Sequence, residues 1–290
     1  LLLYSDKVSD WSIRNAETVV PGYRYVETSG MYSVTTRGIP AKNLGDTLWF
    51  SIYTKLNDGT YYYTKLVDYS PKMYAYSLLG SGDTDLDALL ISMLNYGTAA
   101  QLYFGYRTDD LVNKDLTPAQ QALVETYRAD MVSRVETPDA EKQGEFVANG
   151  GYVKRYPSVT FGGAFSINYY YIPSFAPVDG ITMYYWREAD YVTAEVLTAE
   201  NATGVLRITE ADNGIYRGSV SGIAAKNIDD AVYAAFIYSD GTTTYASGVL
   251  PYSIGTYCND LADDTNGFDV LAKATVVYGY SASRYFANVN

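Results

Sequence analysis

The chain has 290 residues and a net charge of −12, with 32 tyrosines, three tryptophans, nine phenylalanines and no histidine. A sequence pI near 4.4 leaves no basic footprint for nucleic acid and is repelled by anionic membranes. The missing histidine excludes Ser-His-Asp and Cys-His catalysis and removes the commonest general base and metal ligand near neutral pH. Tyrosine at this density suits a β-rich, partly wet aromatic surface, so binding of a neutral or cationic ligand is the better starting point.

From Leu1-Leu2-Leu3-Tyr4 to Asn290 both ends read as cuts through a longer protein, and targeting signals are expected outside the given residues. No run approaches the ~20 apolar residues of a membrane span. Residues 47–54 alternate apolar with polar or aromatic residues and lead into Asp58-Gly59 and the Tyr-rich run from Thr60. That pattern predicts a hairpin, because Asp-Gly supplies the positive φ a tight turn needs. Ser70 is placed to cap a short helix, and Leu86, Leu89, Leu90, Met93, Leu94 and Gly97 fall at helical spacing. Thr117-Pro118 then opens a predicted helix over 118–134, followed by a Gly-rich polar passage. Residues 161–212 read as two or three strands plus a polar loop at 198–203. A second hairpin follows at 231–238 with Asp240-Gly241, then Ser253, and then a helix carrying Phe268, Leu271, Thr275, Val276 and Gly279. The lone cysteine, Cys258, reads as a small buried hydrophobe.

An internal repeat orders these elements. Gly38-Ile39-Pro40-Ala41-Lys42-Asn43-Leu44-Gly45-Asp46 returns as Gly222-Ile223-Ala224-Ala225-Lys226-Asn227-Ile228-Asp229-Asp230, identical at six of nine positions. The parallel continues through the Asp-Gly-Thr turns, Tyr69-Ser70 and Tyr252-Ser253, Tyr96-Gly97 and Tyr278-Gly279, and Tyr103-Phe104 and Tyr285-Phe286. The expectation is two copies of one module, about 180 residues apart. The fold expected is mainly β with α: two Ig-like β-sandwich lobes from an internal duplication, each followed by a packed helix. The first lobe takes residues 1–106, a helical connector 107–156 and the second lobe 157–290.

The repeat also sorts the aromatics. Residues shared by both copies, such as Tyr96, Tyr103 and Phe104, are assigned to packing, and unshared ones are free for a ligand. The candidate ligand-binding set is therefore Trp49, Tyr61, Tyr62, Tyr170, Tyr184, Tyr185, Trp186 and Arg187. Aromatic faces suit sugars, whose axial C–H groups stack on a ring while nearby polar side chains bond the hydroxyls. The triplets Tyr61-Tyr62-Tyr63 and Tyr169-Tyr170-Tyr171, placed on strands, point rings to both faces, one face of each being core. The acidic stretches at 83–87 and 260–269 match no EF-hand and are assigned to capping the helices after them, so no metal and no cofactor is expected. No carboxylate pair stands out for glycoside hydrolysis, and no catalytic residue is named.

Gly222-Ile223-Ala224-Ala225-Lys226-Asn227, Tyr252-Ser253-Ile254-Gly255-Thr256-Tyr257-Cys258 and Leu94-Asn95-Tyr96-Gly97-Thr98-Ala99-Ala100-Gln101 resemble modules of large cell-surface and secreted proteins of anaerobic Gram-positive gut bacteria. Among these, the duplicated, tyrosine-rich pair looks like the second starch-binding domain of the starch adherence system proteins of amylosomes. The resemblance implies a non-catalytic, extracellular or cell-surface domain. It also implies a groove formed by two lobes for an α-1,4-glucan polysaccharide, other domains of a larger parent protein as neighbours, and no membrane insertion. The alternative is a structural spacer or adhesin segment in which the tyrosines mostly pack.

Overall fold

A computed structural model describes residues 1–20, 22–150, 156–173, 178 and 180–289. The chain is mixed α/β, with antiparallel sheets and, among the described residues, seven α-helices. It divides into two compact units, Leu1–Gln121 and Ala122–Asn290.

In the first unit, β1 (Leu2–Tyr4), β2 (Thr18–Val19), β5 (Leu48–Ser51) and β8 (Val67–Tyr69) form one sheet in the order β2-β1-β5-β8. Two ribbons stand apart from it: β3 (Arg24–Val26) with β4 (Met31–Ser33), and β6 (Tyr53–Lys55) with β7 (Tyr61–Tyr63). The strand predicted over 47–54 is thus two strands in different sheets, parted at Ile52. There the Thr64 hydroxyl accepts from the Ile52 N–H at 3.0 Å while Ser51 Oγ donates to the Thr64 carbonyl at 3.0 Å. The Asp-Gly turn forms as predicted: Gly59 has φ +87° and Asp58 Oδ1 accepts from Thr60 N at 2.8 Å. Where a sandwich was expected for this lobe, the described residues make one sheet and two ribbons.

Helices α1 (Pro71–Leu78) and α2 (Thr84–Tyr103) follow. Ser70 Oγ accepts from Met73 N at 3.1 Å, and Asp83 Oδ1 accepts from Asp85 N and Leu86 N, both at 3.0 Å. These are the caps that free N–H groups at a helix start require. Leu44, Ala75, Leu90, Leu94, Val112 and Leu116 build the core between them. Residues 107–121 are held along α2 by its own buried polar side chains. Gln101 Oε1 accepts from Val112 N (2.9 Å), Thr98 Oγ1 accepts from Asn113 N (3.1 Å) and Asn95 Nδ2 donates to Gln120 O (2.9 Å).

The helix predicted over 118–134 is broken. Only α3 (Pro118–Gln121) is α-helical; short 3-10 turns at Ala122–Thr126 and Ala129–Met131 follow. Thr126 Oγ1 donates to Leu123 O at 2.7 Å, the local side-chain-to-backbone competition that weakens helix continuation. The division between units falls here, inside the expected connector. Beyond Gln121 the chain is bonded to the second unit: Ser133 to Asp229, Gln143 to Val249 and Asn149 to Ala246. The Gly-rich passage predicted next contains a short helix at Ala140–Gln143 and a 3-10 turn at Gly144–Phe146, and its residues 151–155 lie outside the described residues.

The first α-helix of the second unit is α4 (Ala140–Gln143). One sheet, in order β13-β14-β10-β9, contains β9 (Ser158–Phe161), β10 (Phe165–Tyr171), β13 (Ala211–Asp212) and β14 (Ile215–Ile223). The other, β12-β11-β15-β16, contains β11 (Ile181–Arg187), β12 (Gly204–Ile208), β15 (Val232–Ser239) and β16 (Thr244–Ala246), with β17 (Leu250–Tyr252) also on β15. The two sheets pack face to face. Tyr169 OH donates to Val232 O at 2.6 Å, the Tyr171 ring stacks on Phe236 at 5.3 Å, and Gly218 leaves room for the Met183 thioether. The opposite face of the second sheet is covered by Phe146, Leu197 and Val249. Helix α5 (Glu188–Thr193) follows β11, and α6 (Ile254–Asp260) and α7 (Phe268–Asn288) close the chain. Ser253 Oγ caps α6 through Thr256 N at 2.9 Å. The stretch 260–269 before α7 caps it in part, through Asn266 and with Asp269 in the first turn, while its other acids do not. The helix N-cap is Gly267, φ +87°, and Asn266 Oδ1 accepts from Phe268 N. Cys258 is wholly buried, and burial pushes its thiol well above the usual range.

Candidate functional site

The aromatic surface lies in the first unit, on the β6–β7 ribbon. The register Tyr53↔Tyr63, Thr54↔Tyr62 and Lys55↔Tyr61 puts Tyr53, Lys55, Tyr61 and Tyr63 on one face, and Tyr62 on the other. Three rings on that face form a row: Tyr53 to Tyr61 is 6.0 Å between centroids, and Tyr61 to Tyr63 is 6.3 Å with planes only 16° apart. Lys55 Nζ sits 5.5 Å from the Tyr61 centroid, close enough for a cation–π contact that keeps the ammonium beside the row. Neither face of the triplet is core, contrary to expectation: Tyr62 is 61% and Tyr61 37% exposed.

Two hollows border these rings. One, about 530 Å³, is lined by Tyr61, Tyr62, Tyr63, Trp11, Asp10 and Ser12. Trp11 is fixed by its indole N–H donating to Thr64 O at 3.1 Å, and Tyr63 OH accepts from Ile13 N at 3.4 Å. Asp10 accepts from Ser12 N at 3.1 Å and Asn15 Nδ2 at 2.9 Å, so a carboxylate is held at the rim. Beneath it Tyr4 donates to Ser12 O, and its phenol is raised above the ordinary range by burial first, then by Asp10 and Tyr63. The other hollow, about 550 Å³, is lined by Tyr53, Lys55, Ile52, Val34, Tyr23 and Tyr32. Tyr32 packs edge-on against Tyr23 at 5.1 Å and tilted against Tyr25 at 5.1 Å, while all three stay at least half exposed. Rings that pack on each other yet remain wet are preorganised for a flat, partly apolar ligand.

The predicted residues separate. Tyr61 and Tyr62 share the first hollow. Trp49, also in the first unit, is half-buried on β5, lies under Lys7 Nζ at 5.3 Å and lines a different hollow. The remaining five are in the second unit. Tyr170 points away from the sheet interface and shares a 2.7 Å hydrogen bond with Ser158 Oγ. Tyr184 packs on Phe146 at 5.4 Å. Tyr185 lies over Gly204, where a Cβ would come within 2.5 Å of the phenol oxygen. Arg187 donates from Nη2 to Ser221 O at 3.0 Å. Trp186 is 0% exposed, edge-on to Phe146 at 4.9 Å, with its indole N–H donated to Asn201 Oδ1 at 2.8 Å. Its ring is therefore closed to any ligand, and it leaves the candidate set as a core residue.

Sequence reasoning missed Trp11, Tyr23, Tyr32, Tyr53 and Tyr63. Trp11, Tyr23 and Tyr32 precede the repeated segment and so are unshared, the signal that singled out Trp49. Among the described residues no group of three or more Cys, Asp or Glu side chains is placed to hold a metal ion, and no helix is long and apolar enough to cross a membrane.

No protein-family model matches the chain, and no curated protein matches it. Among solved structures the chain is similar to the Br derivative of BhCBM56, at 14% identity over 36% of this chain and 99% of that chain, with a TM-score of 0.23. A TM-score that low carries no argument about fold or function.

Proposed function

We propose that this chain is a non-catalytic carbohydrate-binding segment of a secreted or cell-surface protein, and that it binds a starch-like α-1,4-glucan. The observation that carries the reading is the row Tyr53–Tyr61–Tyr63, bordered by two hollows, one of them also lined by Trp11 and Asp10. Adjoining rings on one ribbon face, Tyr61 exposed and Tyr53 and Tyr63 half-buried, offer stacking platforms to a chain of sugars, each stack on the order of 1 kcal/mol. A net charge of −12 favours a neutral polymer over an anionic one. The choice of α-glucan, the extracellular location and the neighbouring parent domains are supported by the resemblance of the repeated phrases alone. The duplication itself is supported by a recurring local arrangement. In each unit a 3-10 turn of sequence Ala-Lys-Asn packs on a helix glycine, Ala41–Asn43 on Gly97 and Ala225–Asn227 on Gly279.

The test is migration of the purified chain in native gels containing amylopectin, with cellulose- and mannan-derived polymers as controls. Selective retardation by amylopectin is expected; equal mobility in every gel would refute the proposal. A spacer or adhesin role is the second reading. Its support is the number of large aromatics spent on packing, with Tyr4, Tyr169, Tyr171, Tyr216 and Trp186 all buried.

A further inference from the structure

A separate hollow of about 400 Å³ in the first unit is lined by Trp49, Asp6, Asp46, Tyr106 and Arg107 among others. Its size falls in the roughly 300–1,000 Å³ range of small-molecule pockets. Its polar wall is fixed. Asp46 accepts from Asn43 Nδ2 at 2.6 Å and Tyr106 OH at 2.7 Å, and pairs with Arg107 Nη1 at 3.1 Å. Arg107 holds this pose with φ +46°, a left-handed conformation that non-glycine residues adopt at a cost. Strain of this kind persists where the surroundings hold the residue in place, here through Asp46 on the guanidinium and the Tyr106 ring 5.8 Å from it. The apolar wall is the Trp49 indole, with Lys7 Nζ 5.3 Å from its centroid.

Charge decides what such a cavity can take. Asp6, Asp46 and Arg107 line the hollow, and the Lys7 and Lys42 ammonium groups stand 5.3 and 5.4 Å from its Trp49 and Tyr106 rings, so charges of both signs, donors and acceptors, surround it. A phosphate would meet two carboxylates, and a cation would meet an ammonium and a guanidinium. A neutral polyhydroxyl compound satisfies both sets while its C–H face covers the indole. A single indole wall, with the Tyr106 hydroxyl already given to Asp46, matches one sugar unit, in contrast to the three rings on β6–β7.

We propose that this hollow is a second carbohydrate site, independent of the tyrosine row, that holds a single terminal sugar of a glycan. The inference rests on the carbohydrate-binding reading, and the chain's own indoles separate the two. Trp186 is buried, Trp11 borders the tyrosine row and Trp49 lines this hollow. In the Trp11→Phe chain, titration with maltotriose should change tryptophan emission saturably, with cellotriose and mannotriose as comparison arms. The change should vanish in Trp49→Phe. Asp6 lies on the surface, so Asp6→Asn should fold normally by circular dichroism and weaken the apparent affinity about fivefold, as exchanging a hydrogen bond to a charged carboxylate for one to a neutral amide oxygen predicts. No saturable change with any of the three sugars, or a change that survives Trp49→Phe, overturns the second site. If amylopectin still retards the same protein, the tyrosine row stands while this site falls. A Trp49 response without retardation would keep this site and remove the row.

Discussion

Trp186 and Tyr61 are both aromatic residues on strands, and their surroundings give them opposite work. Trp186 fills a dry pocket against Phe146 and Leu197 with its one polar atom satisfied by Asn201. Trp186→Ala should lower the stability of the second unit by about 3–5 kcal/mol, the usual cost of emptying a large aromatic site. Chemical denaturation followed by tryptophan and tyrosine fluorescence measures it. Polysaccharide affinity of the protein that remains folded should not change. That residues 161–212 hold strands was legible in the sequence, but the covering of the outer face of β11 was not. That cover comes from Phe146 and Leu197, which no local period connects to β11. The row at Tyr61 was half legible: a Tyr triplet after an Asp-Gly turn fixes the alternation, whereas Trp11 reaches it from 53 residues away through Thr64.

At the scale of elements, the helix glycines mark close contacts between a helix and the 3-10 turn packed on it. A Cβ on Gly279 of α7 would lie 2.0 Å from Ile228 Cδ1 and 3.2 Å from Ala225 O; on Gly97 of α2 it would meet Leu44 Cδ1 at 2.9 Å and Ala41 O at 3.3 Å. Ordinarily Gly→Ala in a helix interior gains up to about 1 kcal/mol. Here the overlap should reverse the sign, with Gly279→Ala destabilising by about 1–3 kcal/mol as the 3-10 turn is pushed away. Thermal unfolding by circular dichroism checks this; a stabilised variant would contradict the close packing. Local chemistry made the turns, the caps at Ser70 and Ser253 and the two long helices readable from sequence. The 118–134 helix was misread because its first turn is bonded to α2 of one unit while the residues after Gln121 bond to the other. Helical spacing alone carries no trace of that division.

At the scale of the whole molecule, tyrosine content sets the response to pH. Burial pushes Tyr171 and Tyr233 up to about 12, Tyr233 also through Tyr191 and Glu188, and it pushes Tyr169 and Tyr252 up as well. An unfolded tyrosine loses its proton near 10, so between about 10 and about 12 the folded state binds more protons and stability falls as pH rises. Below that window these groups contribute a constant amount. Denaturant midpoints should therefore drop on going from about pH 9 to about pH 11, with the loss centred on the second unit, where these tyrosines lie. A flat profile would mean that these phenols are not held in the interior.

The central claim is that a polysaccharide runs along Tyr53, Tyr61 and Tyr63. Its most direct test is the binding isotherm of amylopectin with the wild-type chain and with Tyr61→Ala. Removing the middle ring of the row should weaken binding about fivefold, near 1 kcal/mol, with the fold intact by circular dichroism. Identical isotherms for the two proteins would contradict the claim.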